Sequence, residues 1–177
     1  MTLPLLTPTS ARVAKLVSVG VDPRFLNAVA EETPLGKLQY LIRSSDAAYD
    51  YLPSILDDYS FLAGYEVTPL CNGAGDDELY VLLSNPRERR FVRFELEADV
   101  IYNDFGADFQ RVLAYILLDY VGFDEQMTLA DHIALAQSVG LHHAAAVYHA
   151  YQALPADADI AAWQQHQLPQ LLEQADA

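Results

Sequence analysis

Cysteine is nearly absent. Cys71 is the single one in 177 residues, so no disulfide can form within the chain, and a reducing compartment is expected. Lysine and arginine are scarce too: they total 10 against 25 Asp and Glu, a formal net charge of −15, and none follows Arg111. Ser44 to Pro86 has none either, while it carries Asp46, Asp50, Asp57, Asp58, Glu66, Asp76, Asp77 and Glu78. A surface this acidic repels nucleic acid and anionic lipid and attracts basic proteins, so neither nucleic acid nor membrane is an expected partner. No apolar run approaches the roughly 20 residues that span a bilayer. The opening "MTLPLLTPTSARVAKLV" has no basic residue before its short apolar stretch and makes a poor secretory signal. A soluble, cytoplasmic chain is expected. No internal repeat interrupts it, and 52% hydrophobic residues suffice for a sizeable core in one domain, with or without a helical appendage.

What is present changes period along the chain. Residues 9–20 and 23–32 read as short helices, the second capped by Asp22, opened by Pro23 and ended by Pro34. Helices are also expected over Gly36 to Arg43 and over Asp46 to Tyr59, the latter interrupted at Pro53. Then "YEVTPLC", "ELYVLLS" and "RFVRFELE" follow as three runs rich in β-branched and aromatic residues, joined by "NGAGDD" and "SNPRER" turns. In the third, Val92, Phe94 and Leu96 alternate with Arg93, Glu95 and Glu97, which predicts an antiparallel strand with one wet side. Ala107 to Tyr120 carries Phe109, Val112, Leu113, Ile116, Leu117 and Tyr120 as one helical stripe, suited to cover the dry face of the sheet, with Gly122 as a stop. Helices near 128–139, 141–153 and 158–174 complete the chain, with Pro155 between the last two. The class is α+β: N-terminal helices, an antiparallel meander of at least three strands covered by an amphipathic helix, then a C-terminal helical extension.

The stretch "CNGAGDDELYVLL" invites a chemical reading. A phosphate-binding loop needs Lys and Ser or Thr after its glycines, but acids stand there. The alternating acids and terminal Glu of a calcium loop are missing as well. Adjacent Asp76 and Asp77 on a loop point apart more readily than they form an acid–base pair. A turn is the simpler reading, with Gly73 and Gly75 supplying unusual backbone angles and the acids solvated. His142, His143 and His149, with His132 before them, lack the i, i+4 spacing of a zinc pair on a helix. Cys71 reads as a buried strand residue, and no nucleophile elbow surrounds Ser10, Ser44 or Ser138. The arginines of "RERRFVR" alternate with Glu88 and Glu95 and are expected to form cross-strand ion pairs. No catalytic residue, metal ligand or cofactor is expected.

The ordering of residues 60–121 is similar to the SUKH superfamily. The likeness is carried by "TPLCNG", "GDDELYVLL", "RFVRFELE" and "NDFGADFQRVLAYIL", with Pro69, Gly73, Gly75, Asp76, Tyr80, Phe105, Phe109 and Leu113 matching that family's pattern. It implies a SUKH-like domain over residues 1–122, with residues 123–177 as a helical extension packed on it. Members act mostly as immunity proteins against bacterial toxins, many of them nucleases. The resemblance therefore implies a cytosolic, non-enzymatic protein that occludes a cognate toxin with a basic surface. The alternatives are a regulatory scaffold of the same fold and a small carboxylate-dependent hydrolase. The expected toxin-binding residues are Asp76, Asp77 and Glu78, whose loop lies in a long stretch without Lys or Arg and forms a turn that a rigid sheet holds accessible, with Glu95, Glu97, Asp99 and Asp104 nearby.

Overall fold

The computed structural model describes residues 5–31, 36–75 and 77–174. These form eight α-helices and one five-stranded, mostly antiparallel sheet, the α+β class read from the sequence. The chain divides at Asp108/Phe109 into two compact units. Among the described residues, no helix is long and apolar enough to cross a membrane.

In the first unit, α1 (Thr9–Ser18) closes in a Schellman motif. The Gly20 and Val21 N–H groups donate to the Val17 and Leu16 carbonyls at 3.1 Å, with Gly20 at φ +98° and Val21 buried. In α2 (Pro23–Glu31), Pro23 occupies the first turn, where a missing N–H has no helical partner to lose. The Asp22 carboxylate accepts from the Arg24 N–H at 2.8 Å. Pro34 lies outside the described residues. The helix expected over Gly36 to Arg43 is only a 3-10 turn, Gly36–Tyr40. Arg43 exchanges two backbone hydrogen bonds with Asn72, at 2.9 and 3.1 Å, and that pairing needs extended backbone. α3 (Asp46–Ile55) contains Pro53, continues two residues beyond it and then gives way to a turn in which the Asp58 and Tyr59 N–H groups both donate to the Ile55 carbonyl, so the helix stops short of Tyr59.

The sheet runs β1 (Leu5–Leu6), β2 (Glu66–Asn72), β3 (Glu78–Ser84), β4 (Arg89–Glu95) and β5 (Ile101–Gly106) in spatial order, with β1 parallel to β2 and the rest antiparallel. The three expected runs are β2, β3 and β4. One face carries Val67, Leu79, Val81, Leu83, Val92 and Phe94, buried with Ala48 and Leu52 of α3 and with Leu62. Phe94 meets Phe61 edge-on at 5.0 Å between centroids. The single wet side expected of β4 is corrected: Phe91 is buried on the face of Arg93, and β3 is buried at every residue from Leu79 to Leu83. The apolar Tyr80, Leu82 and Phe91 make the centre of that second face dry, and it turns polar only at its end.

Two irregularities interrupt the sheet. The β2–β3 register slips between Pro69 and Cys71, and the Arg12 guanidinium of α1 donates to the freed carbonyls of Pro69, at 2.7 Å, and Leu70. A side-chain donor thus satisfies main-chain carbonyls at the slip in register. The β4–β5 register slips twice, around Tyr102 and around Phe105.

In the second unit, α4 (Phe109–Phe123) buries all six residues of the expected stripe and also Ala114, Leu118 and Val121. It packs on α5 (Leu129–Val139), α6 (Ala144–Gln152) and α8 (Leu168–Gln174). Gly122 does not stop it. A Cβ there would stand 3.2 Å from the Tyr151 hydroxyl, so this glycine permits close approach of α6. A capping box of Thr128 and Asp131 opens α5, and Gly140 at φ +89° closes it. The single helix expected over 158–174 is two, α7 (Ile160–His166) and α8, divided at Gln167 because Pro169 cannot donate back to the preceding turn.

Candidate functional site

Three loops meet at one end of the sheet. In the β2–β3 turn, the Gly73 N–H donates to the Glu78 carbonyl at 2.8 Å and the Glu78 N–H to the Gly75 carbonyl at 3.3 Å. The unusual backbone angles expected of Gly73 and Gly75 are not left-handed ones; among the described residues the positive-φ glycines are Gly20, Gly64, Gly106 and Gly140. What they supply is space, since a Cβ on Gly73 would collide with the Glu78 side chain and one on Gly75 with Asp77. The Asp77 carbonyl accepts from the Leu96 N–H at 2.9 Å, tying this turn to the β4–β5 connection. The Tyr59 hydroxyl, after α3, donates to the Leu96 carbonyl and brings the third loop in.

The expected acids separate into two kinds. Glu78 and Glu95 face each other across β3 and β4, and Arg93 binds both, Glu95 at 3.5 Å. Arg93 and Glu78 are each only 18% exposed, so Glu78 is a half-buried structural partner and not a solvated acid. Asp104 pairs with Arg90 at 3.0 Å and accepts from the Gly106 N–H, also at 3.0 Å. Arg93–Glu78 and Arg90–Asp104 are cross-strand pairs, as expected of the arginine cluster, though with partners other than the expected Glu88 and Glu95; Arg93–Glu95 lies within β4. Asp77, Glu97 and Asp99 are exposed at the rim, and Asp76 lies outside the described residues.

Sequence reasoning missed Asp57 and Asp58, which are exposed beside Tyr59. Burial raises the Tyr59 pKa, and the carboxylates of Asp99, Asp58 and Glu97 raise it further, which places all three near its hydroxyl. Asp99 is itself held below the usual carboxylate range because the Ser60 backbone N–H and hydroxyl bond to it, with help from Phe61. The rim is therefore an ordered set of like charges with no Lys or Arg in its three loops. The adjacency of Asp57 and Asp58 was visible in the sequence; their approach to residues 97–99 depends on long-range folding. Val100 and Tyr102, 52% and 49% exposed, stand beside the acids and gave no sequence signal.

Other groups lie elsewhere. A crevice of about 90 Å³ is lined by Arg12, Leu26, Val29, Ala30 and Ser44 to Asp46, but Arg12 there is committed to the β2 carbonyls. A groove of about 510 Å³ lies beside Leu5, Tyr65 and Pro86. Cys71 is fully buried, and burial pushes its thiol pKa up. His142 and His143 precede α6 instead of lying on it with His149, and His143 takes a left-handed φ of 55°. His132 is buried in α5, its ring 5.3 Å from that of Tyr148, and burial lowers its pKa. Among the described residues, no three His, Cys, Asp or Glu side chains are grouped as a metal site.

Compared with protein-family models, with curated proteins and with solved structures, the chain matched none.

Proposed function

We propose that this protein is a cytoplasmic immunity protein, one that binds a basic bacterial toxin and neutralises it by occlusion. The observation that carries this reading is the rim at the end of the sheet: Asp58, Asp77, Glu97 and Asp99 come from three loops, and no Lys or Arg within those loops answers them. In β4, by contrast, Arg90 and Arg93 pair with acids at short range. Charge left unmatched on rigid loops raises the encounter rate with a basic partner and disfavours acidic ones. A nuclease toxin is basic of necessity, because it must hold phosphates. The SUKH-like ordering of residues 60–121 supports the same reading.

Co-expression with the product of the adjacent gene tests it. The expected results are a complex that survives gel filtration, association that slows as salt rises, and rescue of growth from that product. Failure of the two proteins to bind at micromolar concentration in low salt, together with no rescue, would remove the toxin-neutralising role.

A further inference from the structure

The rim alone would attract any cation; its neighbour Tyr102 sets an exposed aromatic ring beside it. Tyr102 is the extra residue of a bulge: Asn103 pairs with Arg93 and Ile101 with Phe94, so Tyr102 has no opposite number in β4. Tyr102 and Asn103 both lie against Arg93. The Asn103 side chain accepts from its guanidinium at 3.2 Å, and that guanidinium lies 5.7 Å from the Tyr102 ring centroid. Arg93 is in turn fixed by Glu78 and Glu95. Tyr102 is thus half exposed and yet held in place, a combination that spares a binding partner the loss of side-chain freedom. Val100, two residues before it, is exposed as well.

Resting on the binding role proposed above, we propose that Tyr102 and Val100 form the apolar centre of the docking surface. Its occupant is a cationic protein segment that sets an arginine over Tyr102. Three observations favour that chemistry. Tyr102 already accepts one guanidinium at its ring, and an aromatic ring has two faces. Glu97 and Asp99, in the same connection, supply opposite charge, and no Lys or Arg competes between Arg93 and Arg111. β5 is an edge strand whose two bulges break the regular spacing that an added strand needs, so the partner docks through side chains and not by extending the sheet.

The probe is a blocked heptapeptide of alternating arginine and leucine, titrated into isotope-labelled protein at low salt. Amide shifts are expected to concentrate at residues 96–103. Tyr102→Ala should weaken binding about tenfold, while Tyr102→Phe, which keeps the ring, should stay within about twofold. Tyr102→Gln decides the matter if the alanine variant loses its dispersed spectrum. Equal affinity of the wild-type and Tyr102→Gln proteins would overturn the inference, as would shifts spread evenly over the acidic helices of the second unit. Peptide binding at Tyr102 without binding of the adjacent-gene product would keep this inference and remove the toxin. A toxin complex indifferent to Tyr102→Gln would do the reverse.

Discussion

The two ends of the sheet are built from the same strands but treat charge differently. At the hairpin end, Asn85 accepts from the Arg87 and Glu88 N–H groups, Glu88 accepts from the Tyr65 hydroxyl, and Arg90 lies over the Tyr65 ring while pairing with Asp104. Arg90 finds its opposite charge there, and Glu88 a hydroxyl donor. At the rim, carboxylates from two of the three loops crowd one tyrosine, and the arginine within reach is occupied by Glu78 and Glu95. Folding explains the first arrangement. Of the second it accounts only for Asp99, which Ser60 holds; Asp58, Asp77 and Glu97 carry charge that is available for recognition.

The comparison breaks most completely if the rim loses its foundation. Phe94 is fully buried against Phe61 and, at 6.3 Å, Tyr59. Phe94→Ala is expected to cost about 3–5 kcal/mol in chemical denaturation, and the rim loops should lose amide protection before the hairpin end does. Removing the matched charge is the next largest change. Arg93→Ala leaves Glu78 and Glu95 half-buried and facing each other, at a cost of about 2 kcal/mol at neutral pH.

The second unit provides a contrast in sign. Burial depresses the His132 pKa, so the unfolded chain binds this proton more readily than the folded one. Stability from His132 is therefore complete above the unfolded value of about 6.5 and declines as pH falls from there toward the lower folded value. Helical circular dichroism during denaturation at several pH values checks this, and a His132→Leu variant should flatten the dependence. The smallest stability effect belongs to the rim. Asp77→Lys with Glu97→Lys should change stability by no more than about 0.5 kcal/mol, while slowing association and weakening its salt dependence. A large loss of stability would show that these acids are structural, like those of β4.

Much of the fold was legible, and the misses share a cause. β2 and β3 follow from their β-branched and aromatic runs, and β4 and the α4 stripe from periodicity, and both signals are local. β1 has two residues and β5 carries two bulges, so neither presents a clean alternation. The short 3-10 turn at Gly36–Tyr40 was hidden because Arg43 answers to Asn72, far along the chain. At the site, the acids of the β2–β3 turn were visible as residues. Their division into paired and unpaired was not, since Glu78 meets Arg93, and Asp58 approaches Asp99, only through strand register and loop convergence.

The clasp of Arg12 on β2 has a consequence during synthesis. Its donors reach carbonyls 57 and 58 residues further along. At about 5–20 residues per second, α1 waits several seconds for them to be made. Through that interval α1 has no β2 to settle on, and a helix of 10 residues is barely stable alone. A helix made early is therefore fixed late, and the segment around it must stay soluble on its own until the hairpin behind it closes.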